Sequence, residues 1–191
     1  MLERGYAVAV REGLGVRPEH KQLGISSISG RPFTVTQGDL ELRVLCVWSH
    51  SEEGSYVNGV HSILSQCATW LNGAPSVVLG DFNAHPNFDI EHPASPFASV
   101  SDKLFADFGM VSAYHTVAST PHGTEHSPTF YHQWNEAQPF HIDYCFVPMS
   151  WAPSITGVTV GSYAEFEGFS DHRPIVVDIA GDIDTFGPLR N

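Results

Sequence analysis

The sequence predicts an α/β layered sandwich, and three observations carry that expectation. Apolar runs of strand length flank two segments whose apolar residues recur at helical spacing. The strands expected near the C-terminus are joined by long loops, which fits a layered sandwich better than an all-β barrel or a strictly parallel sheet. Three polar islands end or interrupt apolar runs: Gly80-Asp81-Phe82-Asn83, His141-Ile142-Asp143-Tyr144 and Ser170-Asp171-His172-Arg173-Pro174.

In chain order, residues 6–10 and 32–36 read as strands. Residues 40–48 make a stronger strand, because Leu40, Leu42, Val44, Cys46 and Trp48 share one face. The other face begins with Glu41 and Arg43 and turns apolar at Leu45 and Val47, so the strand enters the core as it proceeds. Residues 55–71 switch period: Val57, Val60, Leu64, Cys67 and Leu71 recur at steps of three and four, one face of a helix. Asn72-Gly73 is expected to stop it through a left-handed glycine cap. Residues 76–79 form a short apolar strand ending directly in Gly80-Asp81. Val100, Leu104, Phe105 and Phe108 predict a second helix, capped by Ser99 or Ser101 and stopped at Gly109. Residues 115–139 are polar and rich in turn residues, with a short strand at 129–131; residues 140–147, 155–160 and 174–179 read as strands.

At 191 residues the chain fits one domain with a core large enough to need no disulfide. No run of about 18 apolar residues exists to span a membrane, and the N-terminus lacks the layout of a secretion signal. The three cysteines are an odd number in apolar segments, which predicts buried reduced thiols and a cytoplasmic protein. A net charge of −12 with nine Lys and Arg argues against a module that binds nucleic acid by neutralising phosphates. A divalent cation inverts the local field, so the charge is compatible with a metal-dependent hydrolase.

The islands supply the chemistry. Asp81 and Asn83, two apart on an extended segment, address one side, where a carboxylate and an amide can act on one substrate group. The alternative is an Asx turn capping the next loop. Asp143 sits inside an apolar strand and needs a partner, because an unpaired buried carboxylate costs several kcal/mol. A histidine is one such partner and an arginine such as Arg173 is the other. Asp171 and His172 are adjacent and face opposite sides on extended backbone, which divides them between a metal and a phosphate.

The ordered trio GDFN, HIDY and SDHRP resembles the endonuclease/exonuclease/phosphatase superfamily of metal-dependent phosphoesterases over roughly residues 5–180. The resemblance implies a four-layer α/β/β/α sandwich with its active site at one edge of two sheets. It implies that Asp81 activates or positions the attacking water, with Asn83 its partner at the phosphate. It implies that Asp143 orients His172, which contacts the phosphoryl oxygen, and that Asp171 is a magnesium or manganese ligand. Tyr56 is similar to a family tyrosine, and His50 or Trp48 stands where some relatives have a histidine near the leaving group. The implied partner is a nucleic acid or another phosphate-ester substrate.

The family pattern also begins with an Asn and a metal-binding Glu at the ends of two early strands. No such residues precede Gly5, and Glu12 and Glu19 fall in a Gly-rich stretch read as a loop. The resemblance thus implies a domain over residues 1–191 that is N-terminally truncated relative to the family, and an alternative role as a non-catalytic binding or assembly module. Eleven histidines, several of them within residues 115–141, raise zinc, although His122 and His126 are the one short-spaced pair. Histidines lining the cleft are the expected reading. Phe130, Tyr131 and Trp134 either stack on a ligand or form the loop's own core, and the acidic tail over residues 178–184 is expected to be solvated.

Overall fold

The computed structural model describes residues 5–90 and 93–181; part of the acidic tail, residues 182–184, lies outside them. Strands β1 (Gly15–Pro18), β2 (Gly30–Gln37), β3 (Leu40–Trp48) and β4 (Ser76–Asp81) precede β5 (Met110–Ser112) and β8 (Asp143–Pro148) in one six-stranded sheet of order β1-β2-β3-β4-β8-β5. Only β3 and β4 run parallel, and they are joined through helix α1 (Tyr56–Leu71). The other pairings of this sheet are antiparallel. Helices α2 (Ala98–Phe108) and α3 (Ala113–Ala118) flank β5 in sequence. A small ladder pairs β6 (Phe130–Tyr131) with β7 (Pro139–Phe140), and β9 (Ile155–Val160) pairs antiparallel with β10 (Ile175–Ile179) after the single-turn α4 (Tyr163–Phe166).

The alternation of side chains along each central strand builds two cores. Leu45, Val47, Val78, Tyr144 and Phe146 point to the face covered by α1 and α2, where they meet Val60, Leu64, Val100 and Leu104. Val44, Val77 and Val147 point to the opposite face and meet Trp151, with Ile155 of β9 and Ile179 of β10 packed against them. The result is an α/β sandwich of the class the sequence predicts: helices, a mixed sheet, then the β9–β10 pair. Val60, Ile63 and Leu64 are fully buried, and each such side chain contributes about 1.5–3 kcal/mol.

Several local expectations need correction. Residues 6–10 form no strand among the described residues, although Tyr6 docks through its hydroxyl on the Ile28 carbonyl at 3.0 Å. The Gly-rich stretch read as a loop contains β1, an exposed edge strand held by its ladder to β2 rather than by a buried face. Helix α1 ends at Asn72 in right-handed geometry, without the left-handed glycine. A side chain at Gly73 would instead collide with the Arg43 guanidinium, which donates to the Trp70 carbonyl. Helix α2 does end at a left-handed Gly109 (φ 61°), but Phe97 is its N-cap and Phe105 is 55% exposed. The Phe97 amide donates to Asp89 Oδ1 at 2.8 Å, an acidic partner for the helix start. Helix α3 lies at the start of the stretch read as polar loop.

Candidate active site

The parallel register of β3 and β4 brings Trp48 beside Asp81, and the antiparallel register of β8 sets Asp143 opposite Asp81. The three strands therefore bring Trp48, Asp81 and Asp143 together at one edge of the sheet. A cleft of about 950 Å³ opens there, lined by Trp48, Ser49, His50, Tyr56, Asp81, Asn83, Asp143, Ser170, Asp171 and His172. All six residues singled out in the sequence, Tyr56, Asp81, Asn83, Asp143, Asp171 and His172, line it.

Gly80, just before Asp81 in β4, has φ +129°, and a Cβ there would meet the Val47 carbonyl, so this position excludes a side chain. The Asn83 amide nitrogen donates to Asp81 Oδ1 at 2.8 Å, and Asn83 Nδ2 donates to Asp81 Oδ2 at 3.0 Å and to the Ser49 carbonyl at 3.1 Å. The Asx turn and the cleft pair are thus the same structure, with Asn83 in the left-handed region at φ 48°. Burial pushes the Asp81 carboxyl up from 3.8 to about 7, and the Asp143 charge adds to the rise against the opposing effects of His172 and Asn83.

The partner of Asp143 is His172, with Nδ1 2.9 Å from Oδ2. Arg173 is not the partner: its guanidinium donates to the Ser170, His172 and Tyr163 carbonyls and stacks over Tyr131 and Tyr163. Thr129, read from sequence only as part of a short strand, fixes the start of β8, because its buried hydroxyl accepts from the amides of Ile142 and Asp143 at 3.0 Å each. Burial disfavours the His172 imidazolium, but the Asp143 hydrogen bond and the charges of Asp143, Asp81 and Asp171 outweigh it and raise the pKa. Phe130 lies against His172 with ring centres 4.7 Å apart.

Asp171 and His172 line the same cleft rather than opposite sides, because the chain here is a loop pinned by the Asp171 carbonyl to the Tyr131 amide at 2.9 Å. His50 lines the cleft with Nδ1 on the Trp48 carbonyl at 2.9 Å. Ser170, which opens the third island, also lines it, as does Ser49, which carries no sequence signal. Glu19 is remote in role: its carboxylate accepts from Thr34 at 2.6 Å and from Arg17 at 2.8 Å. A second cavity of about 650 Å³ shares Tyr56 and Asn83 with the cleft and is walled by Phe88, Phe130, His132 and Phe140. Of the aromatic loop, Tyr131 is buried and Trp134 is 46% exposed.

No protein-family model and no curated protein matches the sequence. Solved structures do. The 3′-5′ exonuclease NExo from Neisseria meningitidis superposes with a TM-score of 0.54 at 18% identity, covering 78% of this chain and 64% of that one. The endonuclease domain of TRAS1, a telomere-specific non-LTR retrotransposon, gives 0.59 at 16% identity, with 87% and 67% covered. An AP endonuclease from Archaeoglobus fulgidus gives 0.55 at 15% identity, with 78% and 64% covered. The chain shares the fold of these three structures. It spans about two thirds of the length of these structures, 64% to 67%.

Within this fold the histidines are arranged otherwise than expected. His126 is exposed, and His132 lines the aromatic cavity. His85, His115, His122 and His141 gather instead around the buried carboxylate of Glu125, away from the cleft lining. The sequence shows several of these histidines close together in the chain, but neither Glu125 as their centre nor His85 as a member.

Proposed function

We propose that the chain is a divalent-metal-dependent phosphoesterase of nuclease type, acting on phosphodiester bonds. The observation that carries this reading is the convergence, from separate segments of the chain, of three carboxylates, an amide and an imidazole in one cleft at a sheet edge. Such a set suits an anion whose hydrolysis needs a positioned water and stabilised negative charge. The names of the structural neighbours, exonuclease and endonucleases, agree with it.

The donors fit magnesium or manganese. They are hard carboxylate oxygens, and magnesium is commonly held by one or two carboxylates with waters and substrate phosphate completing its shell. Asp81 and Asp143 are engaged by Asn83 and His172, whereas Asp171 is the cleft carboxylate set beside them for an ion. A magnesium or manganese ion on Asp171 supplies positive charge that offsets the phosphate in an acidic protein.

Asp81 takes the proton of the attacking water: a carboxyl at about 7 is matched to accepting and releasing protons near neutrality. Asn83 holds that carboxylate in place through two hydrogen bonds. Asp143 accepts the Nδ1 proton of His172 and favours the imidazolium, whose Nε2–H then donates to a phosphoryl oxygen. Tyr56, 46% exposed at the start of α1 and lining the cleft, donates a further hydrogen bond to the phosphate in this reading. The neighbouring aromatic cavity takes a sugar or base flanking the scissile bond. Hydrolysis of a labelled DNA strand with added magnesium, compared with the His172→Ala variant, tests the proposal.

A second reading rests on one observation: among the described residues, the one close-set group of three possible metal ligands lies outside the cleft. A fold member without a tight cleft metal acts as a binding module. Calorimetry separates the readings, since magnesium binding lost in Asp171→Ala supports catalysis and its absence in the parent supports binding alone.

A further inference from the structure

The cluster around Glu125 is built like a metal site, and nothing in the proposed phosphoester chemistry uses it. His115 Nε2 lies 2.8 Å from Glu125 Oε1, and His122 Nδ1 lies 4.0 Å from the same oxygen. The donor atoms of His115, His122 and Glu125 all fall within 4.8 Å of one another. The Glu125 side chain is 2% exposed, and the Gly123 amide also donates to it, at 2.9 and 3.0 Å.

The hydrogen bonds around this centre fix the remaining roles. The Asn87 amide donates to His85 Nδ1 at 3.1 Å, so His85 carries its proton on Nε2 and donates to Glu125 Oε2 at 3.1 Å. His85 therefore orients the carboxylate from outside. His115 Nδ1 faces the Ser112 hydroxyl at 2.7 Å, a partner that accepts as readily as it donates. The imidazole can thus hold its proton on Nδ1 and leave Nε2 free to ligate.

Two nitrogens remain unexplained. His122 Nδ1 and His141 Nε2 are buried without a hydrogen-bond partner among the described residues. His141 is 2% exposed, and its Nδ1 faces the Ser127 carbonyl at 2.8 Å, which can only accept. Its Nε2 therefore carries a bare lone pair, on a ring 5.8 Å from that of His115. Buried lone pairs without donors are what a Lewis acid satisfies.

We propose that His115, His122 and Glu125 bind a single zinc ion, with His85 as the outer group that orients Glu125. Two imidazoles and a carboxylate give the donor number zinc takes when its fourth position is left to water or another residue. Imidazole donors select against magnesium and calcium, so the site is distinct in chemistry from the cleft. The groove beside α3, about 350 Å³ and lined in part by His115 and His122, gives the ion a way in. On binding, the ion takes the place of the hydrogen between His115 Nε2 and Glu125; that proton moves to Nδ1 and points at Ser112.

The site ties α3 to the loop carrying His122 and Glu125, and it reaches both halves of the cleft. His85 lies two residues after Asn83, and His141 two before Asp143. Zinc is expected to stiffen the segments that present those residues.

The test is to strip the purified full chain with a chelator, add zinc under calorimetry, and record the absorption spectrum with cobalt in its place. The expected result is one equivalent of zinc bound at micromolar affinity or tighter, with cobalt bands of a four-coordinate nitrogen and oxygen site. His122→Ala, at the most exposed of the three ligand side chains (23%, against 9% and 2%), is expected to weaken zinc at least about 10-fold. His126→Ala, at an exposed position in the same loop, and Asp171→Ala in the cleft are expected to bind as the parent does. No zinc uptake by the unsubstituted protein overturns the proposal, as does uptake unchanged in a folded His122→Ala or lost in Asp171→Ala. The cobalt spectrum needs no variant, and an octahedral spectrum also overturns it.

Discussion

Asp81 and Asp143 stand directly opposite each other across the β4–β8 ladder, two carboxylates at one sheet edge. Like charges in such a pair cannot both ionise freely. His172 is bonded to Asp143, so the burden falls on Asp81, which burial has already raised to about 7. The raised carboxyl suits the proton transfer proposed for Asp81 and costs stability.

That cost has a measurable sign. A carboxyl raised from 3.8 to about 7 keeps its proton in the native protein while the unfolded chain releases it. The folded state then binds more protons, and stability is lost as pH rises through that window. Between about pH 5 and about pH 8 the metal-free parent is expected to lose on the order of 1–3 kcal/mol through Asp81. His172, raised above 6.5, adds a loss in the same direction. Asp81→Asn should therefore gain stability relative to the parent more at about pH 8 than at about pH 5. Denaturant unfolding with chelator present measures it, and an equal difference at both pH values counts against the raised carboxyl.

Thr129 is predicted to act through Asp143. Its hydroxyl accepts from two amides at the start of β8, and Thr129→Val leaves both without that acceptor. The expected loss is about 1–3 kcal/mol of stability, with a fall in turnover rather than in substrate affinity. Thr129→Ser keeps the hydroxyl and is expected to restore both. Urea unfolding and steady-state kinetics on the two variants decide this.

Gly80→Ala should be among the most damaging single changes. The residue has φ +129°, and a methyl group there would press on the Val47 carbonyl of the neighbouring strand. Destabilisation of more than about 3 kcal/mol is expected, from backbone strain combined with overpacking. The soluble yield and the unfolding midpoint report it.

The thiols give a test of the core. Burial pushes Cys46 to about 11 and both Cys67 and Cys145 to about 12, so thiolate is scarce at neutral pH. Alkylation of the native protein should be slow at all three and should reach three equivalents once guanidinium unfolds it. Rapid native labelling of Cys67, which is fully buried, would show that α1 does not seat on the sheet.

Much of this arrangement was legible in the sequence because each island ends or starts a strand. A short apolar run placed Asp81 at the end of its strand, and the helical face of Val57, Val60 and Leu64 placed α1 before it; Asp143, read inside a strand over 140–147, instead starts β8, because β7 ends at Phe140. Residues 6–10 are likewise an apolar run yet pair with no strand among the described residues, since a pattern cannot say whether a partner is present. The edge strand β1 was hidden by its Gly and Pro, and its ladder to β2 overrides weak propensity. Thr129 and the histidines around Glu125 act through contacts between segments far apart in the chain, which spacing does not encode.

The most direct test of the central claim is hydrolysis of labelled DNA strands by the parent chain across a magnesium and manganese titration, beside His172→Ala. The imidazole is partly exposed, with 32% of its side-chain surface open, so the variant is expected to fold. The account predicts cleavage that rises with metal and falls about 10²–10⁴-fold in the variant. Cleavage by a folded His172→Ala at the parent's rate, or none by the parent at any metal concentration, would contradict it.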